Sequence, residues 1–203
     1  AELRDHATLA VVAGALRTIH AGPALATAFP TFTLAREYAD VALARGGEVP
    51  ADDHALALEL SERIGAALAG RAGHAPVPCH NDLLTANFLR SGGDLRIVDW
   101  EYAGMNDRFF DLGNLAVNNG LSEADERVLL ELYFGEPADE RRVAALRLMR
   151  LMSDVREGMW GVLQRAVSDL DFDYGAYAAE HFARLREGAE DPRLEEWIDG
   201  AAA

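Results

Sequence analysis

The sequence predicts a mainly α-helical fold with one small β-hairpin. Three observations carry that expectation. Apolar residues recur every three or four positions through most of the 203 residues. That period is lost only between Gly73 and Gly104. A long helical pattern then runs, after Pro137, from about 139 to 168.

The helices follow in order. Leu9, Val12, Leu16 and Ile19 mark a helix over 3–19, broken by Gly22 and Pro23. A second covers 31–44 and ends at Arg45-Gly46-Gly47. A third covers 52–69, with Leu56, Leu60, Ile64 and Leu68 on one stripe and Asp52 or Asp53 near its start. Pro76 and Pro78 exclude a regular helix over the next stretch. Asn87–Arg90 and Leu95–Asp99 read as short strands, with Ser91-Gly92-Gly93-Asp94 as the turn between them. Helical text resumes at about 107, and Ser122 with Asp125 forms a capping box for the next helix. In the helix at 139–168, Val143, Leu146, Met149, Met152, Val155, Met159 and Val162 form an apolar series spanning roughly 45 Å. Helices at about 174–187 and 192–199 close the chain.

Composition narrows the functional classes. Half of the chain is hydrophobic, enough for a sizeable core. No apolar run reaches the ~18 residues needed to span a bilayer, and no secretory signal opens the chain. Residue 1 is Ala, which reads as a processed or cropped start. The single cysteine, Cys79, has no internal partner for a disulfide, which suits a reducing cytoplasm. The net charge of -15 disfavours nucleic acid and anionic membranes as partners and is compatible with a cationic small molecule. All 19 basic residues are arginine, and there is no lysine.

The chemistry concentrates in His80-Asn81-Asp82-Leu83-Leu84-Thr85-Ala86-Asn87 and Ile97-Val98-Asp99-Trp100-Glu101-Tyr102. A four-residue turn sets Arg90 opposite Leu95 and Asn87 opposite Val98, so Asp99 falls beside Ala86 and Asn87. Asp82 lies in the loop that enters this ribbon. Three oxygen-bearing side chains therefore converge, a donor set suited to Mg²⁺ and its phosphate ligands. Phosphoryl transfer asks for such positioning and charge neutralisation.

The spacing H-x-D-x-x-x-x-N, from His80 to Asn87, resembles the catalytic loop of protein kinases and aminoglycoside phosphotransferases. Asp99-Trp100-Glu101 stands where protein kinases carry D-F-G. The fuller text resembles the choline/ethanolamine kinase family: Asp99-Trp100-Glu101-Tyr102, Asn106, Asp111-Leu112-Gly113-Asn114, and more weakly Trp160 to Gln164 and Phe172 to Ala178. The resemblance implies the C-terminal lobe of the protein-kinase-like (aminoglycoside phosphotransferase/choline kinase) fold. It implies Asp82 as catalytic base, Asn87 and Asp99 as Mg²⁺ ligands, and ATP as co-substrate. It further implies that His80 and Asp111 support the loop, and that Glu101, Tyr102, Trp160 and Tyr177 shape the acceptor pocket. Aromatic faces with a carboxylate suit a quaternary ammonium, which has no N–H to donate.

Residues 1–203 then form the catalytic, substrate-binding helical lobe. The resemblance also implies a nucleotide-binding N-terminal lobe of the same protein, holding ATP with a Gly-rich loop and a strand lysine. Neither feature occurs in this chain, so that lobe is expected upstream, and the chain alone is expected to be inactive. Two positions depart from the choline kinase pattern. Glu157 stands where those enzymes carry a second tryptophan, and Asn118 where they carry a glutamate. The acceptor is therefore open among choline, ethanolamine, thiamine and other amino alcohols. An aminoglycoside kinase and a non-catalytic substrate-binding fragment are the alternatives. Trp160 and Tyr177 equally suit core packing, and Trp100 is expected to pack within the lobe. His6, His20, His54, His74 and His181 are expected as packing or surface residues, and Cys79 as a small buried one.

Overall fold

Capping side chains set where most of the helices begin. Asp5, Asp107, Ser122, Asp139 and Asp173 each accept a backbone N–H from the first turn that follows. A computed structural model of the chain describes residues 2–69, 71, 75–91 and 94–202. Its helices are α1 (His6–His20), α2 (Leu34–Ala44), α3 (Ala51–Ala69), α4 (Arg108–Asn118), α5 (Glu123–Phe134), α6 (Glu140–Val167), α7 (Tyr174–Ala189) and α8 (Leu194–Ala202). The short strands are β1 (Val77–Cys79), β2 (Phe88–Ser91), β3 (Asp94–Ile97) and β4 (Gly104–Asn106).

The mainly helical fold agrees with the sequence, and the differences have local causes. Asp5 caps α1, so the helix expected from residue 3 starts at His6, and Glu2–Arg4 form a separate 3₁₀ turn. The helix expected from 31 starts at Leu34, after Thr33. The last helix is shifted towards the C-terminus, to Leu194–Ala202. Strands β2 and β3 pair antiparallel in the expected register, with Arg90 opposite Leu95. Gly92 and Gly93 of the expected turn lie outside the described residues, as do Gly73 and His74.

The sequence showed one hairpin, whereas the structure holds a second strand pair. β1 and β4 run antiparallel, with Val77 opposite Asn106 and Cys79 opposite Gly104. Residues near Ala28 join β4 on its other side through a parallel bridge to Met105. Pro78 is tolerated because β1 is the edge of this small sheet. Two three-residue strands are too short to show a period of two in sequence.

Helix α6 is the axis of the lobe. It packs against α2, α4, α7 and α8 and is buried almost continuously from Val143 to Val162. Met149, Met152 and Met159 are fully buried in its core stripe. No described helix is long and apolar enough to cross a membrane. Two glycines permit close approaches between α6 and its neighbours. A Cβ on Gly113 of α4 would lie 2.8 Å from the backbone of Met149 and Arg150, and one on Gly158 would lie 2.7 Å from the Phe182 ring. Gly113→Ala must therefore force α4 away from α6. The expected cost is about 2 kcal/mol, read as a lower urea midpoint with an unchanged slope. An unchanged midpoint would contradict this packing.

Candidate active site

The loop after β1 has to turn sharply while its backbone polar groups are buried. Asn81 adopts a left-handed conformation (φ 66°), which Asn tolerates better than most residues. Its side chain is tied on both sides. Nδ2 donates to the Tyr102 carbonyl at 3.0 Å, and Oδ1 accepts from Asn106 Nδ2 at 2.8 Å. Asn106 in turn accepts from Thr31 Oγ1 at 2.9 Å.

The loop backbone is held by polar side chains of α4. Asp111, fully buried, accepts the N–H of His80 at 2.9 Å and of Asn81 at 2.7 Å. Asn114, one turn further on the same face, accepts the N–H of Leu83 and donates to Ser153 Oγ. Asn119, just past the helix end, donates to the Leu83 carbonyl at 3.1 Å. Behind Asp111, His20 donates through Nε2 at 3.0 Å, and its Nδ1 faces the Tyr133 hydroxyl at 2.6 Å. His20 was expected as a packing or surface residue, but it belongs to this network. Its ligand atom, those of Asp111 and the Cys79 thiol lie within 4.8 Å of one another. The His20–Asp111 hydrogen bond accounts for the approach of those two. Cys79 is a small buried residue whose thiol is pushed up by burial.

The loop delivers Asp82 to the side of α6. Asn87 Nδ2 donates to the Asp82 carbonyl at 2.8 Å and lies 3.3 Å from Oδ2. Arg156 Nη1 donates to Oδ1 at 3.0 Å. Burial pushes the Asp82 carboxyl above the ordinary carboxylate range, Arg156 opposes the shift, and nearby Glu157 adds to it. His80 spans the loop and the hairpin. Its Nδ1 accepts the Asp82 N–H at 3.2 Å, so Nε2 carries the proton donated to the Val98 carbonyl at 3.0 Å.

Asn87 ends a single 3₁₀ turn, Thr85–Asn87. The Val98 N–H to Asn87 carbonyl bond (3.0 Å) carries the β2–β3 register one residue further. Asp99 follows directly, in a left-handed conformation (φ 67°). It is exposed, and among the described residues nothing engages its carboxylate or Asn87 Oδ1. An amide oxygen and a carboxylate left open at one end of a ribbon are a donor set for a hard cation. Two non-glycine residues at positive φ flank this loop, a strain that persists only where the surroundings impose it.

On the other side, Tyr102, Trp160 and Tyr177 come together. Trp160 Nε1 donates to Tyr102 Oη at 2.9 Å, and Tyr177 Oη donates to Glu157 Oε2 at 2.6 Å. Burial raises the hydroxyl pKa of Tyr102, and that of Tyr177 is raised by burial and by Glu157. Glu101 is exposed in the turn after Asp99, outside this hydrogen-bonded group. Trp100, expected to pack in the lobe, is 44% exposed. It leans on His80, with ring centres 4.6 Å apart.

Sequence reasoning missed Arg156 and did not place Glu157 beside Asp82. Both are almost fully buried, and Arg156 Nη1 also donates to Glu157 Oε1 at 2.5 Å. The available signal was an Arg-Glu pair inside the apolar stripe of α6, one turn before Trp160. Tyr38 of α2 was missed as well. Burial raises its hydroxyl, on which the charges of Arg156, Glu157 and Asp82 act. Removing the brace is the sharpest check on this geometry. Asp111→Ala strands two buried N–H donors and His20, so unfolding stability should fall by about 3 kcal/mol in chemical denaturation. A loss below about 1 kcal/mol would mean that the loop does not depend on Asp111.

Comparison with known proteins places the chain among phosphotransferases. Residues 2–146 match the family described as "Phosphotransferase enzyme family". Ethanolamine kinase 1 of Mus musculus is 31% identical over 131 residues, covering 52% of this chain and 36% of that protein. Protein LicA of Haemophilus influenzae is 30% identical over 105 residues, covering 50% of this chain and 39% of that protein. The chain thus spans well under half the length of these relatives. The crystal structure of a choline/ethanolamine kinase family protein from Mesorhizobium loti superposes with a TM-score of 0.86 at 29% identity, covering 99% of this chain and 68% of that one. The fold is the C-terminal, helical lobe of the protein-kinase-like architecture. The chain is similar to choline/ethanolamine kinases, and it belongs to the phosphotransferase enzyme family.

Proposed function

We propose that this chain is the catalytic helical lobe of an ATP-dependent kinase. The acceptor is the hydroxyl of a cationic amino alcohol of the choline or ethanolamine class. The observation that carries the reading is the braced loop, which presents Asp82 beside Asn87 while the hairpin register brings Asp99 to the same end.

Asp82 orients the acceptor hydroxyl and takes its proton as the bond to phosphorus forms. Asn87 and Asp99 are the residues that would hold Mg²⁺. When bound, the ion neutralises charge on the phosphate oxygens. His80 fixes the distance between the loop and the segment leading to Asp99. Asp111 keeps the loop from relaxing. Tyr102, Trp160 and Tyr177 form the wall that receives the ammonium end of the acceptor, with Glu101 at its rim and Tyr38 facing it from α2.

In this reading an N-terminal nucleotide-binding lobe of the same protein completes the ATP site, because the chain has no lysine to meet the phosphates. A cytoplasmic location fits the single buried thiol and the supply of ATP.

The test is ADP release with Mg²⁺-ATP, using the protein with its nucleotide lobe. The acceptors are choline, ethanolamine, thiamine and an aminoglycoside. Turnover is expected on an amino alcohol, and Asp82→Asn should lower kcat by about a hundredfold or more. Full turnover in Asp82→Asn would remove Asp82 from the mechanism. Activity confined to the aminoglycoside would reject the acceptor class.

A further inference from the structure

A cavity of about 290 Å³ opens where the first turns of α4 and α6 meet the last turn of α5. None of its lining residues belongs to the Asp82 loop, the hairpin or the aromatic wall. Four arginines line it: Arg71, Arg108, Arg141 and Arg142. Asp139 is the single carboxylate among the lining residues. In a chain with a net charge of -15, this is a local reversal of sign.

Two of the four arginines are held against aromatic rings. Arg71 lies 4.6 Å above the centre of the Phe109 ring, and Arg142 lies 4.2 Å above that of Phe134. The two rings stack on each other, with centres 5.6 Å apart. These side chains are not splayed into water, since that of Arg71 is 10% exposed and that of Arg142 23%. A guanidinium resting on a ring face keeps its N–H groups in its own plane, where they can still meet an oxygen. Neighbouring carboxylates answer part of the charge. Asp107 meets Arg71 at 2.6 Å, and Arg142 meets Glu136 and Asp139. Arg108 and Arg141 form no ion pair among the described residues. Four guanidinium groups against these three carboxylates leave one positive charge over. The amino ends of α4 and α6 add partial positive charge, against the carboxyl end of α5. Like charges gathered around one cavity repel, and an anion inside it offsets that cost.

We propose that this cavity is a binding site for a phosphate-bearing anion, separate from the proposed kinase centre. Phosphate suits it better than carboxylate does. Guanidinium forks bind phosphate through paired N–H···O bonds. A phosphate group brings three oxygens and up to two charges, whereas a carboxylate brings two oxygens and one charge. Arg108 and Arg141, which no carboxylate answers, are the primary contacts. Arg71 and Arg142, fixed on their rings, frame the site. The volume leaves room for a small organic body attached to the phosphate.

Pyrophosphate is the probe, titrated into the ¹⁵N-labelled chain in metal-free buffer at constant ionic strength. The amide signals of Arg108, Phe109, Phe134 and Arg141 should shift together and saturate. Citrate, a carboxylate anion of similar charge, should bind about tenfold more weakly or worse. Arg108→Gln and Arg141→Gln strand no carboxylate, so both should fold, and each should lower the affinity for pyrophosphate about tenfold. No saturable shift at these amides, or an unchanged affinity in both variants, overturns the site. Citrate binding as tightly as pyrophosphate overturns the phosphate class. Vesicles carrying phosphatidic acid distinguish the source of the phosphate. Sedimentation with them that Arg141→Gln abolishes assigns the site to a lipid headgroup, and saturation by pyrophosphate without sedimentation assigns it to a free phosphate compound. The kinase reading is decided separately, by turnover that depends on Asp82.

Discussion

The buried Asp111 carboxylate accepts the backbone N–H groups of His80 and Asn81, two consecutive donors that neither a strand nor a helix satisfies. Leaving such donors unpaired in the interior would cost roughly 1–3 kcal/mol each. Their satisfaction makes the left-handed Asn81 affordable, and Asn81 turns the chain so that Asp82 leaves the sheet and meets α6. His20 and Tyr133 complete the brace from α1 and α5, so three helices set the position of one loop. His80 then couples that loop to the hairpin through the Val98 carbonyl. The positions of Asp82, Asn87 and Asp99 follow from this chain of hydrogen bonds.

The second organising feature is the charged segment of α6. A helix buried on nearly every side carries Arg156 and Glu157 at the level of Asp82. Removing either partner of a buried ion pair strands the other, whereas a matched set is tolerable. Arg156 meets two carboxylates and an aromatic face, which holds it protonated against burial. The rigidity of α6, packed at Gly113 and Gly158 against its neighbours, fixes how far this group stands from the braced loop. Loop and helix are thus separate supports that meet at Asp82.

The parts of the site that were legible in the sequence are local. The hairpin register could be read because turn length alone sets it, and it placed Asp99 beside Asn87. Ser122 with Asp125 marked one helix start, and Asp52 and Asp53 marked another to within two residues. The spacing from His80 to Asn87 marked the loop. The parts that were not legible depend on distant segments. β1 and β4 are three residues each and recognise one another across 24 intervening positions, so no period announces them. Tyr38 and His20 reach the site from helices far earlier in the chain. Arg156 and Glu157 sit among apolar neighbours, where a helical period cannot tell a buried charge from one at the edge of the stripe. Trp100 failed for the opposite reason, since an aromatic residue after a strand suggests core, whereas here it covers His80 from the outside.

The central claim is that the braced loop and the hairpin present Asn87 and Asp99 together as oxygen ligands beside Asp82. Titration of ¹⁵N-labelled protein with Mn²⁺ tests it most directly, because paramagnetic broadening falls steeply with distance from the ion. The account predicts selective loss of the amide signals of Asp82, Asn87 and Asp99 at low Mn²⁺, and their retention in Asp99→Asn. Broadening centred on other acidic clusters, or unchanged in Asp99→Asn, would contradict it.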